Sequence, residues 1–131
     1  MHNYDENIDP PIPVIKVDLG EPNPEAGHTN KATLYLDTGA DITAVPKEVL
    51  DTFLVGRMLN YDYVNVSGFE RSAGKIIKAY YVNIIINNCA PILTRIIPIH
   101  DNVGLLGRDV INHFITELNG PKMSWTVEQS A

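Results

Sequence analysis

The residues of this chain best suited to chemistry lie in one run, Leu34-Tyr35-Leu36-Asp37-Thr38-Gly39-Ala40-Asp41. An apolar strand delivers an acid, Asp37, to its end. Thr38 then offers a hydroxyl to nearby backbone groups, and Gly39 allows a turn conformation closed to other residues. One carboxylate alone is a poor hydrolytic catalyst, because splitting an amide needs one group to take a proton from water and another to give one. Two carboxyls held together do both jobs, since like charges a few ångströms apart cannot both ionise and the proton belongs to the pair. The chain holds a single Asp-[Ser/Thr]-Gly: Asp51-Thr52 is followed by Phe53, and Asp18-Leu19-Gly20 lacks the hydroxyl. A second such carboxyl must come from a second chain, facing the first across a two-fold axis.

Leu105-Leu106-Gly107-Arg108-Asp109 is the second informative run. Arg108 can offer a bidentate fork to a carboxylate, and a partly buried pair with Asp41 would order the loop that holds Asp37. Together, in this order, the two runs make the chain resemble the retropepsins, the small single-lobe aspartic peptidases, over roughly residues 13 to 118. The resemblance implies a homodimeric aspartic endopeptidase acting on peptide or protein substrates, with no cofactor and no metal.

Carried over residue by residue, the resemblance makes Asp37 the catalytic acid. Thr38, Gly39, Asp41 and Arg108 support the active-site loop, Thr38 through hydrogen bonds across the dimer interface and Arg108 by pairing with Asp41. Gly39, Ala40, Ile42, Ala44, Leu105 and Leu106 line the substrate cleft. Asp109 is structural. Gly68, Phe69, Glu70, Arg71, Ser72, Ala73 and Gly74 fall where the family has its flap, although the tip lacks the usual glycines and small aliphatic residues. Asn112-His113-Phe114 and the Leu118-Asn119-Gly120-Pro121 turn look more like bacterial, particularly cyanobacterial-type, retropepsin-like proteins, which suggests that the helix and C-terminal hairpin contribute to the dimer interface. The competing reading is a catalytically silent retropepsin-fold module that dimerises or holds a peptide as an added strand.

The elements that must position these residues read as β. Val14–Leu19 and Lys31–Leu36 alternate apolar and polar side chains, which predicts two half-buried strands joined by a long loop. Tyr63–Val66 and Ile76–Ile86 flank the 68–74 segment as a hairpin, and Leu93–Ile99 is a further apolar strand. Pro46–Leu50 fits a short helical turn and Arg108–Phe114 a helix. Ile115–Leu118 and Met123–Val127 predict a closing hairpin, with Asn119-Gly120 suited to positive φ angles in its turn. The expected class is all-β, a small closed or curled β-barrel-like retropepsin fold with a flap hairpin and one short C-terminal helix. One domain spans 13–127, with a loose arm at 1–12 and a disordered tail at 128–131.

Bulk properties narrow the function further. A chain of 131 residues with 44% hydrophobic and 20% charged residues can bury a core, as soluble globular domains do. Its net charge of −6, with no Lys/Arg run, argues against nucleic acid or an anionic membrane surface as partner. No apolar stretch approaches the ~20 residues of a membrane span, and the acidic, polar start Met1–Glu6 is unlike a signal peptide. A cytoplasmic protein is expected. Cys89 has no partner for an intrachain disulfide, and His28, His100 and His113 lack ligand-like spacing.

Overall fold

A computed structural model describes residues 1–23, 29–66 and 74–129. Ten strands dominate: β1 (His2–Asp5), β2 (Ile12–Gly20), β3 (Thr29–Leu36), β4 (Thr43–Pro46), β5 (Tyr61–Val66), β6 (Lys75–Ile85), β7 (Ile92–Ile99), β8 (Gly104–Leu106), β9 (Ile115–Asn119) and β10 (Ser124–Glu128). The helices are α1 (Lys47–Leu54) and α2 (Arg108–Ile111). The chain is all-β. Its strands form one sheet in the order β5-β6-β7-β4-β8-β3-β2-β1-β10-β9, which curls until β2 also pairs with β6. The result is a ring of strands rather than a clean barrel. β3–β8 and β4–β7 are parallel, and the other pairings are antiparallel. Among the described residues no helix is long and apolar enough to cross a membrane.

Alternation along the strands sorts side chains onto two faces. Ile15, Val17 and Leu19 of β2 enter the main core with Leu34, Val45, Ile96 and Leu106, closed by Phe53 of α1 and by Trp125. Their strand neighbours Ala44, Ile97 and Leu105 join Ala79 in a second, smaller cluster that also takes in Ile42, Val64, Val66, Ile77 and Ile99. The two clusters lie on opposite faces of β4, β7 and β8, and the second takes in Ile42, at the end of the link that follows Asp37.

Several expectations need correction. The stretch 1–12 is no loose arm along its whole length: β1 pairs with β10 through His2 and Asn3 and with β2 through Tyr4 and Asp5. Trp125, 1% exposed, donates its indole N–H to the Asn3 and Val14 carbonyls at 3.2 Å each, pinning β1 and β2 together. Tyr35 donates its hydroxyl to the Asp5 carboxylate at 2.8 Å, and that bond raises the Tyr35 pKa. At the other end Glu128 belongs to β10, and Gln129 exchanges two hydrogen bonds with the backbone of Ala90, while 130–131 lie outside the described residues.

The helix expected over 108–114 is a single turn that ends at Ile111. α1 runs longer than the expected turn because Leu50 and Phe53 share a buried face. In the β9–β10 hairpin the positive φ falls on Met123, at 51°, not on Asn119-Gly120. Asn119 instead accepts the Lys122 N–H through its side chain, and Gly120 accepts that of Met123. The expected flap residues Gly68, Phe69, Glu70, Arg71, Ser72 and Ala73 lie outside the described residues. Gly74, at the hairpin's base, has φ +41°, and a Cβ there would lie 2.6 Å from Asn65 Oδ1, so glycine is required.

Candidate active site

Asp37 is the first residue after β3, and its own backbone begins to hold it. Its N–H donates to the Leu106 carbonyl at 3.0 Å, continuing the β3–β8 ladder by one bond. Its carbonyl accepts the Ala40 N–H at 3.2 Å, closing the turn. The Gly39 N–H donates to Asp37 Oδ1 at 2.9 Å and fixes the side chain, while the other carboxylate oxygen has no partner among the described residues. Gly39 is not in the left-handed region, contrary to the role expected of it. A Cβ at this position would stand 3.1 Å from Asp37 Oδ1, so room for the acid sets the preference. The carboxyl is half-buried, with Thr38 and Gly39 exposed beside it.

The far side of the turn is tied to the start of α2. The Arg108 N–H donates to the Ala40 carbonyl at 2.8 Å, and the Arg108 guanidinium donates to the Thr38 carbonyl at 2.9 Å. The expected Arg108–Asp41 ion pair is not formed in the single chain. The guanidinium donates to Thr38 instead, and Asp41 stands exposed with no hydrogen bond or ion pair among the described residues. The Thr38 hydroxyl likewise has no partner among the described residues.

Asp109 and Thr43 form the centre of the support. The Asp109 carboxylate accepts Thr43 Oγ1 at 2.7 Å, Thr94 Oγ1 at 2.7 Å and the Thr43 N–H at 3.2 Å. Thr43, fully buried, in turn accepts the buried Gly107 N–H at 3.0 Å. Donors on β4 and β7 therefore converge on one acid, and Thr43 links it to the β8–α2 junction through Gly107. Asp109 is structural, as expected, but Thr43 and Thr94 were not anticipated. A hydroxyl after Ile42 and another in β7 gave no local signal, because their common partner is remote in sequence.

The expected cleft-lining residues divide by strand alternation. Ile42 and Leu105 are half-buried in the smaller cluster. Ala44 belongs to that cluster but is fully buried in the single chain, and Ala40 is 9% exposed. Leu106 points the other way into the main core at 1% exposure, so it does not line the cleft. Sequence reasoning missed the residues that share the cluster with Ile42 and Leu105, namely Val64 and Val66 of β5 with Ile77 and Ile99. Among the described residues no group of three or more His, Cys, Asp or Glu is placed to hold a metal.

The arrangement presents one carboxyl, partly open, on a turn tied to β8 and α2, with Ile42 of the smaller apolar cluster following the same turn. No family model matches the chain, and no curated protein matches it.

Proposed function

We propose that the protein is a retropepsin-like homodimeric aspartic endopeptidase, with one Asp37 from each subunit forming the dyad. The observation that carries this reading is the placement of Asp37. Asp37 is half-buried, with one carboxylate oxygen fixed by Gly39 and the other unengaged among the described residues, on a turn joined to β8 and α2 by one backbone hydrogen bond each and closed by a third within itself. Such rigidity is what a catalytic acid needs and what a surface turn does not.

In the proposed reaction a water lies between the two Asp37 carboxyls. The ionised one takes a proton from the water as its oxygen bonds to the peptide carbonyl carbon. The protonated one then gives its proton to the departing nitrogen as the carbon–nitrogen bond breaks, leaving a free acid and a free amine. The apolar surface around Ile42 and Leu105 would position the flanking side chains. The Thr38 hydroxyl, unpartnered among the described residues, fits a hydrogen bond across the two-fold axis. The exposed Ile115 and Leu118 on β9, the end strand of the sheet, suit contact with the second copy.

A catalytically silent peptide-binding or dimerisation module of the same fold is the competing reading, favoured by the bulky Phe69-Glu70-Arg71 tip where a closing flap would sit. Cleavage of a proteome-derived peptide pool by wild type and by Asp37→Asn, with circular dichroism confirming that both are folded, separates the two. Cleavage confined to wild type is the expected result. Equal cleavage by both removes the dyad, and no cleavage by either, with intact binding of a transition-state mimic, favours the silent module.

A further inference from the structure

Beside the Asp37 turn is a cleft of about 280 Å³ between Asp41-Ile42, the end of β5, and β7. Ile42, Val64 and Val66 form an apolar wall, and Asp41, Thr94 and Asp109 a polar one. Its charges are unbalanced. Arg95, also in the lining, pairs with Asp62 at 3.3 Å. Asp109 is satisfied by hydroxyls and an amide, all neutral donors. Asp41 is exposed and engages nothing among the described residues, because the guanidinium expected to neutralise it donates to Thr38 instead. Two carboxylates thus line the cleft, and neither has an ion-pair partner among the described residues.

We propose that this cleft selects a lysine or arginine side chain of a bound peptide, its methylenes on Ile42, Val64 and Val66 and its cation on Asp41. The inference rests on reading the Asp37 site as a peptide cleft. Lys and Arg are the side chains that match a lining of apolar and anionic groups together. A wholly apolar side chain would strip water from Asp41 without replacing it, and an acidic one would meet two like charges. Asp41 is the contact rather than Asp109, whose carboxylate already accepts three hydrogen bonds.

The test uses peptides identical except for Lys, Met or Glu at each position along the bound stretch. Turnover is measured with the wild-type, Asp41→Asn and Asp41→Lys chains. Binding is measured by fluorescence anisotropy with Asp37→Asn, alone and combined with each Asp41 change. At one position Lys should be favoured over Met by about fivefold, carried in KM and in Kd, the upper range for a solvent-accessible ion pair. The ratio should shrink in about 0.5 M salt, which an apolar preference would not do. It should approach one in Asp41→Asn and turn toward Glu in Asp41→Lys. A wild-type chain with no Lys preference, or a preference that survives Asp41→Asn, overturns the inference. Turnover without charge preference defeats this inference alone, whereas an Asp41-dependent Lys preference in binding with no turnover defeats the hydrolase reading alone.

Discussion

Thr43→Val tests whether the turn holding Asp37 is fixed by a buried hydroxyl or by the surface guanidinium of Arg108. The substitution keeps the side chain's shape and removes one oxygen. That oxygen donates to the Asp109 carboxylate at 2.7 Å and accepts from the buried Gly107 N–H at 3.0 Å. A hydrogen bond to a charged group contributes about 1.5–3 kcal/mol, and a buried N–H left without a partner costs about 1–3 kcal/mol. The added methyl returns about 0.8 kcal/mol through burial. The net loss is about 3 kcal/mol. Arg108→Ala, in contrast, removes an exposed donor from a carbonyl at an exposed residue that water can reach, for about 1 kcal/mol or less. Urea unfolding at fixed protein concentration reads both, because association would make the midpoint concentration-dependent. With a slope near 2 kcal/mol/M, Thr43→Val should lower the midpoint by about 1.5 M and Arg108→Ala by no more than about 0.5 M. The reversed order, or a Thr43→Val loss below about 1 kcal/mol, would refute the assignment of support to Asp109 and Thr43.

Three further outcomes are expected. Gly104→Ala places a Cβ 2.1 Å from the Ala44 carbonyl oxygen and 2.6 Å from Leu34 Cδ2, so thermal unfolding should show a loss of about 3 kcal/mol, and an unchanged midpoint would show that β8 is not wedged there. If the active unit takes one Asp37 from each of two chains, wild type exchanged with an equal amount of Asp37→Asn should keep about half its activity, since only a quarter of the dimers are then wild type in both subunits; undiminished activity would mean that one chain suffices. His2 has its pKa lowered below 6.5, first by burial and then by the N-terminal ammonium, so the detached strand binds the proton better than the docked one. The His2 contribution to β1 docking is therefore complete above pH 6.5 and is lost as pH falls below it; hydrogen-exchange protection of residues 2–5 should decline over that window in wild type but not in His2→Gln.

Much of the sheet was legible because β2 and β3 expose one face, and alternation announces such strands, while β7 showed as an apolar run with β-branched residues. β4 was not, since Thr43–Pro46 is buried on both faces and too short to show a period, and its partners β7 and β8 are remote in sequence. β1 was missed for a related reason: His2–Asp5 is polar, and a tryptophan from the last strand holds it. In the site, the position of Asp37 followed from its motif, but the choice of partner for Arg108 did not. Asp41 and the Thr38 carbonyl are both acceptors within the one turn, and the sequence alone does not rank them for the guanidinium. Leu106 could have been excluded from the cleft on sequence alone, because adjacent residues of a strand face opposite ways, and Leu105 cannot share a face with it.

The position of Asp37 follows from the topology more than from its own neighbours. β3 ends at Leu36 and β4 begins at Thr43, and β8 lies between them, parallel to one and antiparallel to the other. The link from 37 to 42 must therefore cross the C-terminal end of β8, a span of two strand spacings or about 10 Å. At that end the chain presents the Leu106 carbonyl, the Gly107 N–H and the Arg108 N–H in succession. Asp37, Thr43 and Ala40 each take one. The acid is thus placed by a crossing that three short strands enforce, and changes in β8 that never touch the carboxyl should move it. Gly104 lies at the base of that crossing, where β3, β4 and β8 approach too closely for any side chain.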